Sequence, residues 1–79
     1  MKDDLEIKFE IAKALGVLGE SARGWKTELN LVSWNEREPK LDIRSWDPEH
    51  KRMGKGITLT KDEGKALRDA LDAYLRDGA

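Results

Sequence analysis

Hydrophobic and polar positions alternate along most of the first sixty residues, then change to a helical period. From Glu6 to Ile11 the alternation is strict. Ile7, Phe9 and Ile11 fall on one side and Glu6, Lys8 and Glu10 on the other, the mark of a half-buried strand. The following AKALGVLG (12–19) reads either as a continuation past a bulge at Gly16 or as a helical turn. Gly16 and Gly19 disfavour a helix and favour the bent strand.

After a turn-like GESARG, a second strand spans Trp25 to Asn35. Its faces are Thr27, Leu29, Leu31 and Ser33 against Lys26, Glu28, Asn30, Val32 and Trp34. EREP (36–39) is a polar turn. The third strand, Lys40 to Trp46, sets Leu41 and Ile43 opposite Lys40, Asp42, Arg44 and Trp46. Asp47-Pro48-Glu49-His50 reverses the chain, because proline fixes φ and aspartate caps turns locally. A fourth strand then covers Lys51 to Leu59.

Thr60-Lys61-Asp62-Glu63 is a capping box, and its acids sit where the helix dipole favours them. The helix it starts runs to about Arg76, with Ala66, Leu67, Ala70, Leu71, Tyr74 and Leu75 as an apolar stripe; Gly64 weakens it slightly. The order β-β-β-β-α predicts an α+β fold: a four-stranded antiparallel sheet with one face covered by a single C-terminal helix. One domain fills residues 1–79, with 1–5 expected to be disordered, 6–59 forming the sheet and 60–76 the helix.

Size adds a constraint. In chains below about 70–80 residues a single core seldom supplies more than about 3–5 kcal/mol, and this one has 79. Cysteine is absent, so neither disulfides nor thiolate metal sites can help, and His50 is the single imidazole. Oligomerisation is the remaining support. No apolar stretch approaches the ~18 residues of a membrane span, and MKDDLEIKFE lacks a signal peptide's apolar core. A soluble, cytoplasmic protein is expected.

Charge sharpens the functional reading. The net charge is −1, which by itself argues against nucleic acid. Its distribution is uneven. Residues 21–61 hold nine Lys/Arg against six Asp/Glu, while residues 1–20 and 62–79 each hold three against five. The basic middle also contains the tryptophans. Sorted by alternation, Leu29, Leu31, Leu41 and Ile43 form a bed for the helix, whereas Lys26, Trp34, Lys40, Arg44 and Trp46 share the opposite face. Aromatic rings interleaved with cations suit a single-stranded nucleic acid: bases stack at about 1–3 kcal/mol each and cations neutralise phosphates. The same pattern is compatible with Trp34 and Trp46 packing in a second small core or a dimer interface. Trp25 has the other parity and reads as structural. Glu28 and Asp42 lie on the aromatic face and are expected to pair with neighbouring Lys or Arg.

Gly54-Lys55-Gly56 is not a phosphate loop, since G-x-x-x-x-G-K-[ST] is absent and a strand follows. Strict alternation places Lys55 on the helix side with Ile57, so a bulge is needed for it to reach a ligand on the aromatic face. No acid pair, Ser/His pair or metal cluster has distinguishing spacing. No enzyme activity, cofactor, metal or small-molecule substrate is expected.

The stretch LDIRSWDPEHKRMGKGITLTKDEGKALRDAL (41–71) resembles the C-terminal half of the positive cofactor four domain, the single-stranded-DNA-binding domain of a eukaryotic transcriptional coactivator. ARGWKTELNLVSWNEREPK (22–40) is similar to the small bacterial YdbC-like branch of that family, and the likeness covers about residues 6–76. It implies a strongly curved four-stranded sheet, a C-terminal helix, an obligate homodimer and binding of single-stranded DNA. By match to the motif, Arg44, Trp46, Lys55 and Trp34 are groove residues, and Lys26, Lys40, Lys51 and Arg52 are basic in similar regions. Leu67, Leu71 and Tyr74 are expected at the dimer interface. The aromatic step before the turn is shortened here to Ser45-Trp46, and the coactivator's regulatory region has no counterpart. The resemblance therefore carries strand binding, of DNA or possibly RNA, rather than coactivation. A protein-interaction adaptor using the tryptophans is the rival reading.

Overall fold

A computed structural model describes residues 8–77. The strands are β1 (Phe9–Glu20), β2 (Lys26–Trp34), β3 (Lys40–Trp46) and β4 (Met53–Leu59), followed by one helix, α1 (Lys61–Arg76). They pair antiparallel in sequence order β1-β2-β3-β4. The expected α+β architecture is what the chain adopts. Ile7 and the segment 1–5 expected to be disordered lie outside the described residues. Among the described residues no helix is long and apolar enough to cross a membrane.

Local chemistry explains the connections. Asn35 and Glu36 both take positive φ, and Arg37 N–H donates to the Trp34 carbonyl at 3.0 Å, a tight hairpin turn of the primed kind. Between β3 and β4, His50 N–H donates to the Asp47 carbonyl at 3.0 Å, with Pro48 and Glu49 inside the turn. The Asp47 carboxylate accepts from Lys51 N–H at 2.7 Å and Arg52 N–H at 3.0 Å. At the start of α1 the capping box is complete: Glu63 N–H donates to Thr60 Oγ1 at 3.1 Å, and Thr60 N–H to Glu63 Oε1 at 2.8 Å.

Bulges give the sheet its shape. Twelve residues of β1 run beside nine of β2, and the pairing slips three times, between Ile11 and Lys13, Ala14 and Gly16, and Val17 and Gly19. Each slip adds a residue to one strand and bends it. The bent-strand reading of residues 12–19 is thus correct, with two bulges more than anticipated. The result is a tight curl. Phe9 pairs with Trp34 at one end of β2, and Trp46 pairs with Lys26 at the other. In a straight strand those ends stand about 26 Å apart. Yet the Phe9 ring lies 6.1 Å from that of Trp34 and 5.1 Å from that of Trp46. Only a strongly curved sheet brings both tryptophans to one phenylalanine.

The inside of this curl is where the core sits. Val32 and Trp46 are fully buried there, together with the polar Asn30, Asp42 and Glu28. The other face is less well covered than expected. Leu29, Leu31, Leu41 and Ile43 are half-buried, and α1 buries none of its residues. Leu67, Leu71, Tyr74 and Leu75 are 37–68% exposed. The helix approaches β3 chiefly through Gly64, where a Cβ would collide with the Leu41 side chain. Farther along, an open groove of about 390 Å³ separates Leu29 from Leu67, Leu71 and Leu75. One helix does not cover this face.

Candidate nucleic-acid interface

The inner face is built in rows across the strands. Trp46 pairs with Lys26 and Met53, Arg44 with Glu28 and Gly56, Asp42 with Asn30 and Thr58, and Lys40 with Val32. Because the register is continuous from β2 to β3, the alternation deduced for both strands holds, and all five of Lys26, Trp34, Lys40, Arg44 and Trp46 share one face.

Arg44 is the most extensively hydrogen-bonded cation described in this surface. Its Nε and Nη2 donate to the two Asp42 carboxylate oxygens at 2.7 and 2.9 Å, and Nη1 donates to the Gly54 carbonyl at 3.3 Å. The guanidinium lies 4.8 Å from the centroid of the Trp34 ring. A bidentate carboxylate fixes its plane and the ring attracts its charge, so cation and aromatic are held as one stacked unit. Asp42 is buried and also accepts from Thr58 Oγ1 at 3.2 Å. Gly56, directly opposite Arg44, has no room for a side chain: a Cβ would lie 2.9 Å from Arg44 Cα and closer still to Arg44 Cβ and the Ile43 carbonyl.

Trp46 does not present an open ring. It is 0% exposed, packed between Phe9 at 5.1 Å and the His50 ring at 5.6 Å. The alternative of a second small core describes Trp46; the stacking platform does not. The curl encloses a residue that alternation alone leaves facing outward. Trp34 is half-buried and keeps part of its surface accessible. Neither indole N–H has an acceptor among the described residues.

The remaining basic positions, Lys26, Lys40, Lys51, Arg52 and Lys55, are all exposed. Lys51 lies 3.5 Å from Glu49, a wet pair of little energetic consequence. No acid among the described residues is within ion-pairing distance of the other four. Lys26 and Arg52 fall at the Trp46 end of the sheet, and Lys40 falls near Trp34 at the other. Lys55 occupies a bulge. Going from Gly56 to Met53, β4 spends one residue more than β3 does from Arg44 to Trp46. The irregularity that Lys55 needs is present. Glu20, opposite Lys26 at the tip of the β1–β2 hairpin, is an exposed acid on this face.

Two features escaped the sequence. Phe9, whose register with β2 cannot be followed through three bulges, is the centre of the aromatic cluster. Glu28 pairs not with Lys or Arg but with His50: Nε2 lies 2.9 and 3.1 Å from its two oxygens, while Asn30 Nδ2 donates to Oε1 at 3.0 Å. His50 reaches this position from a left-handed backbone conformation, φ 58°. The nearby Asp47 carboxyl is held below its ordinary range. The hydrogen bond from Arg52 N–H is the main cause; desolvation, the next largest effect, opposes it, and Lys51 N–H and the charges of Arg52 and His50 assist it.

Comparison with known proteins places this geometry. An uncharacterized protein of Treponema pallidum (strain Nichols) is 44% identical over 72 residues, covering 91% of this chain and 85% of its own length. The family model for the transcriptional coactivator p15 (PC4) matches residues 21–70, from the β1–β2 turn through β2, β3 and β4 and into α1. That span contains the Arg44–Trp34 stack, the bulge at Lys55 and every exposed cation of the inner face and its hairpin, and on this match the chain belongs to the transcriptional coactivator p15 (PC4) family.

Proposed function

We propose that this protein is a non-enzymatic binder of single-stranded DNA that acts as a homodimer and holds the strand largely without regard to sequence. Family membership supports nucleic-acid binding in general. The observation that carries the finer reading is the stacked Arg44–Trp34 pair on a face rimmed by Lys26, Lys40, Arg52 and Lys55. The central acids of that face do not oppose a polyanion, because Asp42 and Glu28 are buried and already paired. A rigid guanidinium–indole plane is a surface on which an unpaired base can stack, and the flexible lysines around it can neutralise the flanking phosphates. A duplex keeps its bases stacked on each other and cannot use that plane.

The homodimer is supported by the uncovered apolar stripe Leu67, Leu71, Tyr74 and Leu75 and by the groove beside Leu29. A contiguous apolar surface on so small a domain marks an interaction site.

Fluorescence anisotropy with a labelled oligo-dT of about 20 nucleotides, set beside rU and duplex of equal length, tests the reading. Four phosphate contacts predict a log–log salt slope of about −3. Affinity for dT no better than for duplex, or indifferent to salt, overturns it. Tighter binding of rU moves the assignment to RNA. Light scattering at micromolar concentration should return twice the chain mass.

A further inference from the structure

One corner of the inner face is built for something other than phosphate. Beside the Glu28 carboxylate a cleft of about 310 Å³ opens between β1 and the β3–β4 turn, walled by Ala14, Leu15, Val17, Asn30 and His50. That volume is at the lower end of the roughly 300–1,000 Å³ typical of small-ligand sites. The floor is polar and fixed. Glu28 and Asn30 are 7% and 1% exposed, and Asn30 Nδ2 and His50 Nε2 hold the carboxylate in place. The wall is apolar and wet. Leu15 and Val17 are 42% and 59% exposed and gain from being covered by a flat ring.

The chemistry of the occupant follows from the hydrogen bonds still open. A carboxylate offers about four lone-pair sites. Asn30 and His50 each supply one N–H, so about two sites remain. A phosphate, which brings acceptor oxygens and no N–H, cannot fill them. A nucleobase that presents two adjacent N–H donors and no acceptor between them is the matching group. Among the DNA bases guanine has that edge, in N1–H and the N2 amino group. Thymine presents one N–H between two carbonyls, and adenine and cytosine place an acceptor beside their amino group.

Resting on the strand-binding reading, the geometry points to a guanine-selective pocket: Glu28 accepts from N1–H and N2–H of one unpaired guanine, Asn30 and His50 orient the carboxylate, and Leu15 and Val17 cover the ring. Binding along the strand is general, and one position reads a base.

The test uses the full chain and labelled dT strands of about 20 nucleotides carrying a single central dG, deoxyinosine or dA, at one salt concentration. A bidentate base contact discriminates by about 5- to 150-fold, so the dG strand should bind at least about fivefold more tightly than all-dT. Deoxyinosine, which lacks the N2 amino group, should fall between, and dA should match dT. Glu28→Gln should collapse the dG:dT ratio to about one. Should Glu28→Gln fail to fold, Ala14→Phe fills the cleft from an exposed position and should collapse the ratio likewise. Equal affinity for all four strands overturns the pocket while leaving strand binding intact. Failure to bind any strand overturns both. A dG preference that survives Ala14→Phe in a folded variant also overturns the pocket.

Discussion

Replacing Trp46 separates two accounts of the inner face. If the ring were an open platform, Trp46→Ala would weaken oligonucleotide binding and leave the fold intact. The structure predicts the reverse order of events. Trp46 is fully buried, and its ring contacts Phe9 at 5.1 Å and His50 at 5.6 Å. Truncating a buried tryptophan to alanine costs about 3–5 kcal/mol, cavity included. A core of this size supplies no more than about the same amount. The variant should therefore be largely unfolded at room temperature unless a partner chain rescues it. Taking the lower limit of about 3 kcal/mol, the thermal midpoint falls by roughly 12–24 °C. Urea unfolding followed by far-ultraviolet circular dichroism is the suitable assay, since the substitution removes a fluorescent reporter. Measurements at several protein concentrations separate intrinsic stability from dimer mass action. Trp46→Phe, which keeps a ring between Phe9 and His50, should lie between wild type and Trp46→Ala. A Trp46→Ala protein with a wild-type midpoint and reduced dT affinity would refute the reasoning and restore the open platform.

Other perturbations follow from particular contacts. Asp42→Ala leaves the Arg44 guanidinium, 14% exposed, without its bidentate partner; about 3–5 kcal/mol should be lost in urea titration, and Asp42→Ala/Arg44→Ala together should cost less than the sum. Gly56→Ala drives a methyl group into the Arg44 and Ile43 backbone. It should separate β4 from β3 at a cost of about 1–3 kcal/mol, seen as faster amide exchange in both strands. Asp47 has a depressed folded pKa, so its contribution is complete above the ordinary value of 3.8 and is lost as pH falls through the lower folded value. An acid titration of the thermal midpoint should show this slope in the wild type and a shallower one in Asp47→Asn.

Much of the molecule was legible from local pattern. Lys40–Trp46 could be bounded to the residue because charges and apolar residues alternate from Lys40 to Arg44 and the Asp47-Pro48 turn follows Trp46 directly. The Asp47-Pro48 turn and the Thr60–Glu63 capping box are legible because their hydrogen bonds close within a few residues. The bulge at Lys55 followed from a conflict between alternation and the family motif. Other features were hidden. Glu28, Asn30 and Asp42 share the parity of Trp34 and Trp46, yet polar residues at alternate positions usually signal a wet face. Nothing local announces that this face curls inward. His50 as the partner of Glu28 depends on a turn folding back over a strand 22 residues earlier.

What the sequence by itself determined is the set of elements, their order and which side chains share a face. A period of two, a period of 3.6, a proline turn and a helix cap are all set by interactions within a few residues. The tertiary structure alone decided which face is inside. Three unpaired residues in β1 bend the sheet cumulatively, and their effect appears only when Phe9, at one end, meets Trp46, at the other. That closure converts a ring expected to meet bases into the centre of the core. It leaves Trp34 half-buried and the surrounding lysines and arginines exposed at the edge of that face. The helix, capped and amphipathic as its residues dictate, keeps an apolar stripe that a sheet curled the other way cannot cover.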